Sequence, residues 1–171
     1  MTDSNAIEIS IVMGSESDLP IMSEAVEVLK DFNIKHEVRI LSAHRTPNTI
    51  KEYASGLLSR KIKVVIAAAG GAAHLAGVIA GLTTLPVIGI PMPSKYLQGL
   101  DSLLSTVQMP KGIPVLTTAI GEAGAANAAL GAVQMLAIGD PFLQIQLVDY
   151  RERMSQKVLN ADRNIQNAQN N

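Results

Sequence analysis

The chain contains no cysteine and no tryptophan, and only 3% of its residues are aromatic. Without thiols it forms no disulfide, thiolate metal site, iron–sulfur cluster or cysteine nucleophile. So few aromatic rings argue against a platform for stacking unpaired bases. Charge of one sign is also lacking: 14 Lys and Arg against 15 Asp and Glu leave a formal net charge of -1. No nucleic-acid partner and no anionic membrane surface are expected, although a local basic pocket remains compatible with that balance. Long apolar runs are absent too. The most apolar stretch, 64–85, is broken by Gly70-Gly71, His74, Gly77 and Gly81, so it reads as a strand and a helix and not as a membrane span. The first residues, Met1-Thr2-Asp3-Ser4-Asn5, lack a basic region followed by an apolar core. No signal peptide is indicated, and a cytoplasmic location is expected.

What is present is a globular composition. With 171 residues, 47% hydrophobic and 17% charged, the chain is far from the disordered class and has the length of one ordinary domain. Residues 7–13 are rich in β-branched side chains and end at Gly14, which predicts a strand. Asp18 and Pro20 then mark a helix start, with Met22, Ala25, Val26 and Leu29 at helical spacing over about 19–31. A strand over 36–41 follows. Thr46-Pro47 opens a second helix with Ile50, Tyr53, Ala54, Leu57 and Leu58 on its apolar face. The alternation continues: a strand over 63–68, a small-residue helix from about 73, a strand over 86–91, a helix or turn near 99–107, a strand within 113–119, and an Ala- and Gly-rich helix over 122–137. Strands alternating with helices predict an α/β fold with a central parallel sheet and helices on both faces. In such sheets ligands bind beyond the carboxyl ends of the strands.

After Asp140-Pro141 the pattern changes. Leu143, Leu147, Tyr150, Met154, Val158 and Ile165 share one stripe of a long helix. The stripe fits packing on its own domain, but its length favours a neighbouring subunit. Residues 167–171 are expected to fray. The expected organisation is a single domain with a core over 7–140 and a helical extension over 141–168.

Three predicted strand ends carry chemistry. Gly14-Ser15-Glu16-Ser17-Asp18 places a glycine and two hydroxyls before a helix N-terminus, which suits an anion. It is neither a Walker loop nor a dinucleotide fingerprint. Asp18 is awkward beside an anion unless it meets a hydroxyl, and by itself it reads as the helix cap. Ser42-Ala43-His44-Arg45-Thr46-Pro47 joins a fork suited to phosphate with the side chain best suited to moving protons near neutrality. An arginine ion pair and a hydrogen-bonded loop histidine would fit the same spacing. Ala68-Ala69-Gly70-Gly71-Ala72-Ala73-His74-Leu75 lets a ligand approach backbone closely. There His74 reads as structural, with an orienting donor as the alternative. His36 has no evident partner and is expected at the surface. No HExxH and no acidic or histidine cluster at ligand spacing points to a metal. Nor do the strand ends carry the acidic residues of a response receiver.

Two further segments, 108–115 (Gln-Met-Pro-Lys-Gly-Ile-Pro-Val) and 119–129 (Ala-Ile-Gly-Glu-Ala-Gly-Ala-Ala-Asn-Ala-Ala), complete a series of five in fixed order. Together they resemble the PurE family of purine biosynthesis over nearly the whole chain, about 7–153, and within it the bacterial N5-carboxyaminoimidazole ribonucleotide mutases. That resemblance implies a flavodoxin-like three-layer fold, a homo-octamer whose terminal helix packs on neighbouring subunits, a ribonucleotide substrate, and no metal or organic cofactor. It implies that Ser15 and Arg45 hold the 5′-phosphate, with Ser42 and Ala43 beside them, and that Asp18 binds ribose hydroxyls. His44 would carry the proton. Ala69, Gly70, Gly71 and Ala72 would line a pocket for the migrating carboxylate, closed by His74 and Leu75. One departure is Ala76, where this class often has proline; it bears on the stiffness of a helix start and not on the chemistry. Direct carboxylation of aminoimidazole ribonucleotide and a non-catalytic nucleotide sensor are the competing functions.

Overall fold

A computed structural model describes residues 6–169 of the chain. The N-terminal pentapeptide and the last two of the residues expected to fray lie outside the described residues. The chain forms two compact units, one up to Val133 and one from Gln134 onward.

The first unit is built on five strands: β1 (Ile9–Met13), β2 (His36–Ile40), β3 (Val64–Ala69), β4 (Val87–Pro91) and β5 (Leu116–Thr117). All pair in parallel, in the order β2-β1-β3-β4-β5. This is the flavodoxin-like order. β1 and β4 are buried along their whole lengths, as strands covered on both faces must be, whereas β2 lies at an edge and is largely exposed. The stretch 64–85 resolves into β3, a glycine loop and α3 (Leu75–Ala80).

The remaining helices of this unit are α1 (Leu19–Asp31), α2 (Pro47–Ser55), α4 (Leu100–Val107) and α5 (Glu122–Ala137), the last running past Val133. One face of the sheet packs Val12, Val65 and Val87 against Ile50, Tyr53 and Leu57 around α2 and Leu75 and Ile79 of α3. α4 covers the same face, because a Cβ on Gly89 would sit 2.5 Å from Thr106 Cγ2. Only glycine lets that helix approach so closely. α5 lies over the opposite face, where a Cβ on Gly131 would meet Ile88. The chain steps one way from β1 to β2 and the other way from β2 to β3. Right-handed crossovers therefore put α1 opposite α2.

Several boundaries differ from the sequence expectation for local reasons. The third helix begins at Leu75 and not near 73, because the Gly70-Gly71 loop turns through a left-handed residue, Gly71, at φ 66°. α2 stops at Ser55, and Leu58, expected on its apolar face, is exposed beyond the helix end. β5 shrinks to two residues at the other edge of the sheet.

In the second unit, α6 (Pro141–Gln169) follows a short turn. Asp140 caps it by accepting from the Phe142 and Leu143 N–H groups at 2.9 and 3.3 Å. Residues 167–169, expected to fray, are helical. Along the predicted stripe, Leu143 and Leu147 are buried, while Met154, Val158 and Ile165 are exposed. Phe142, Ile145 and Val148, outside that stripe, are exposed as well. Among the described residues no helix is long and apolar enough to cross a membrane.

Candidate active site

The strand order reverses between β1 and β3, so the loops leaving these neighbours diverge to opposite faces and open a crevice at their carboxyl ends. The loop after β2 borders the same crevice. The result is a cavity of about 540 Å³.

The first wall is the β1 loop. Gly14 N–H donates to Ala68 O at 3.1 Å, fixing this loop to β3. Ser15 Oγ accepts from the Ser17 N–H at 3.3 Å and from the Ser17 hydroxyl at 2.9 Å, which shapes a single 3-10 turn over Glu16–Asp18. Asp18 occupies the N-cap position of α1, but its side chain makes no capping bond. The expectation of a capping carboxylate is thus corrected: Ser15 caps the turn, and Asp18 lines the cavity. Burial pushes the Asp18 carboxyl pKa up, against hydrogen bonds from the Ser15 backbone and the Ser17 hydroxyl that pull it down.

The second wall is the β2 loop. Its backbone is closed by Thr46, whose N–H reaches Ser42 O at 2.9 Å and whose Oγ1 accepts from Ser42 N–H at 3.0 Å. Pro47 then starts α2 without losing a needed donor. Arg45 Nε donates to Ser42 Oγ at 3.2 Å, and Arg45 Nη2 donates to Gly14 O at 2.7 Å. The guanidinium therefore bridges the first two loops through neutral acceptors. The ion pairs among the described residues are Lys30–Glu27, Arg60–Glu37 and Lys63–Glu8. Arg45 takes part in none, so its charge and unused N–H groups remain available to an anion.

The third wall is the β3 loop with the start of α3. Gly71 N–H donates to Ser102 Oγ at 2.9 Å. His74 takes the N-cap position of α3, again without a side-chain cap bond. Its Nδ1 lies 2.8 Å from His44 Nε2, and the two rings meet edge to face at 80°. That pairing spans 30 positions of sequence and is the feature sequence spacing missed.

Ser15, Asp18, Ser42, Ala43, His44, Arg45, Ala69, Gly70, Gly71, Ala72, His74 and Leu75 all line this one cavity. Met92, Pro93 and Ser94 line it too and were not foreseen. They directly follow β4, so the rule that sites gather at strand carboxyl ends was the signal that could have found them. His36 is not without a partner: its Nδ1 lies 2.8 Å from Ile34 O, outside the cavity. No group of three or more His, Asp or Glu able to hold a metal occurs among the described residues.

The family model of AIR carboxylase matches residues 8–157. The chain belongs to the AIR carboxylase family. A Pyrococcus abyssi member named N5-carboxyaminoimidazole ribonucleotide mutase is 56% identical over 86% of this chain and 83% of its own. A Vibrio cholerae member of the same name is 51% identical over 88% of this chain and 94% of its own. Among solved structures, Treponema denticola PurE superposes with a TM-score of 0.81 at 29% identity, covering 90% of this chain and 95% of that one. The likeness to PurE and the strand order β2-β1-β3-β4-β5 both indicate a flavodoxin-like α/β fold.

Proposed function

We propose that this chain is an N5-carboxyaminoimidazole ribonucleotide mutase, moving the substrate carboxylate from the exocyclic nitrogen to C4 of the imidazole ring. The observation that carries the reading is one cavity holding both an Arg45 guanidinium without an acidic partner and the His44–His74 pair. The names of the relatives point the same way.

On this reading Ser15 and Arg45 bind the 5′-phosphate, with Ser42 orienting Arg45. Asp18 accepts from ribose hydroxyls, which compensates its partial burial. Binding at these remote groups supplies energy for positioning at C4. The carbamate C–N bond then breaks, releasing carbon dioxide while His44 gives a proton to the departing amine nitrogen. The uncharged molecule stays against Ala69, Gly70, Gly71 and Ala72, where proximity replaces a bimolecular encounter. C4 attacks it and becomes tetrahedral. His44 recovers a proton from C4, and aromaticity returns. Carbon dioxide and the proton are both conserved, so the chain's own groups suffice. With Nε2 of His44 engaged by His74, Nδ1 is the ring nitrogen left for this exchange, and the second imidazole spreads the charge.

We further propose that the enzyme is a cytoplasmic homo-octamer. Supporting this, Leu97, Leu100, Leu104 and Val107 of the α4 region expose apolar surface, as do Ile145, Val148, Met154 and Val158 of α6. Covering a large apolar side chain contributes about 1.5–3 kcal/mol. Sedimentation of the intact chain tests the assembly. A monomer in solution would overturn it.

The activity test supplies the purified chain with the carbamate substrate, without ATP or added bicarbonate. Product formation is expected. Turnover only from aminoimidazole ribonucleotide and bicarbonate would replace the mutase with a direct carboxylase. Binding with no turnover would leave a nucleotide sensor.

A further inference from the structure

α4 is folded with its polar side inward. Ser102 and Thr106 are buried, while Leu100 and Leu104 are each 50% exposed. The buried hydroxyls have distinct partners. Thr106 Oγ1 donates to Ser102 O at 2.7 Å, within the helix. Ser102 Oγ does more: it donates to Met92 O at 2.7 Å and accepts from Gly71 N–H at 2.9 Å. Ser105 Oγ adds a longer contact, 3.2 Å, to Gly71 O. Met92 and Gly71 belong to different strand-end loops, those of β4 and β3, and both line the cavity.

From this bridge we infer that Ser102 is a positioning residue that fixes the carbon dioxide-holding end of the pocket and keeps the released molecule from escaping. The inference rests on the mutase reading. Gly71 sits at φ 66°, and a Cβ there would meet nothing within 4 Å. Gly70 beside it abuts Met92, while hydrogen bonds hold Gly71 itself at both its N–H and its carbonyl. Ser102 supplies one of them and ties it to the neighbouring β4 loop at Met92. It also occupies the Gly71 N–H, a donor that would otherwise be available to steady the carbamate ground state and oppose its breakdown. A hydroxyl is the group for this bridge, because it donates and accepts at one atom. Ser102 touches no substrate: it lines neither the cavity nor the phosphate end.

A loosened wall has a specific consequence. Substrate still binds through Ser15 and Arg45 and still loses carbon dioxide, but part of the carbon dioxide leaves before C4 attacks. The readout is the share of consumed substrate that ends as aminoimidazole ribonucleotide, corrected for the enzyme-free background. Ser102→Ala is expected to raise that share about tenfold, with KM changed less than about threefold. Ser102→Cys keeps the size but bonds weakly, is expected to leak to an intermediate degree, and serves where the alanine variant is insoluble. Thr106→Val removes a buried hydroxyl of the same helix that does not reach Gly71, and is expected to leave the share at the wild-type value. A Ser102 variant that slows turnover with an unchanged share would overturn the inference, as would equal leakage from Thr106→Val. Failure of the wild-type chain to convert the carbamate at all would instead remove the mutase reading.

Discussion

His44 Nε2 and His74 Nδ1 share a hydrogen bond of 2.8 Å between two loops that the sheet brings side by side. Each nitrogen can donate or accept, but only one proton lies between them. The tautomer of one ring therefore sets the tautomer of the other. This gives His44 an orientation that its own loop does not supply.

The pair makes a two-part prediction. His44→Asn is expected to lower kcat by about 10²–10⁴-fold, the range of a lost proton carrier, with nucleotide affinity largely kept. His74→Phe keeps a ring but removes the bond, and is expected to lower kcat roughly tenfold with KM changed little. Steady-state kinetics reads both variants. An unchanged kcat in His74→Phe would make that histidine a wall residue only.

Arg45→Ala is expected to weaken nucleotide binding by about 1.5–3 kcal/mol, the scale of a hydrogen bond to a charged group. The loss should shrink for the nucleoside lacking phosphate. Titration calorimetry with both ligands measures the difference. Equal losses would mean that Arg45 acts through its bridge to Gly14 O, holding the first loop in place.

Asp18 should trade stability against binding. Its folded pKa is raised by burial, so its stabilising contribution is full below the unfolded value of about 3.9 and is lost as pH rises through the folded value. At neutral pH the ionised group opposes folding. Asp18→Asn is therefore expected to melt higher than wild type without ligand, yet to show a raised KM. Thermal melts and kinetics on the same samples decide this. A variant with lower melting temperature would show that Asp18 is a structural anchor.

A different group governs acid sensitivity. Burial pushes the Glu37 carboxyl up, but hydrogen bonds from Tyr53, Arg60 and Ser10 outweigh it and leave the group below the usual range. A depressed carboxyl contributes stability that is full above the unfolded value, about 4.3, and is lost as pH falls through the folded value. Urea midpoints of wild type are thus expected to fall more steeply below about pH 4.3 than those of Glu37→Gln. Parallel curves would remove Glu37 from the acid response.

Local chemistry made most of this molecule legible from the residues. The β-branched run before Gly14, the Pro47 helix start and the small-residue helix Glu122–Ala137 all depend on neighbours a few positions away. Their alternation sufficed for a parallel sheet and for a site at strand ends. The order of helices and strands along the chain, and the residue types in three loops, were thereby determined by sequence. Tertiary structure alone decided three things. It turned Asp18 from a cap into a cavity group, because Ser15 took the turn's donors. It paired His44 with His74 across 30 residues. It buried Ser102 and Thr106 while leaving Leu100 and Leu104 outside, against the usual expectation for an amphipathic helix. The physical reason is common to all three: each depends on which groups from distant segments compete for the same donors and the same dry space. Periodicity along one segment carries no record of that competition.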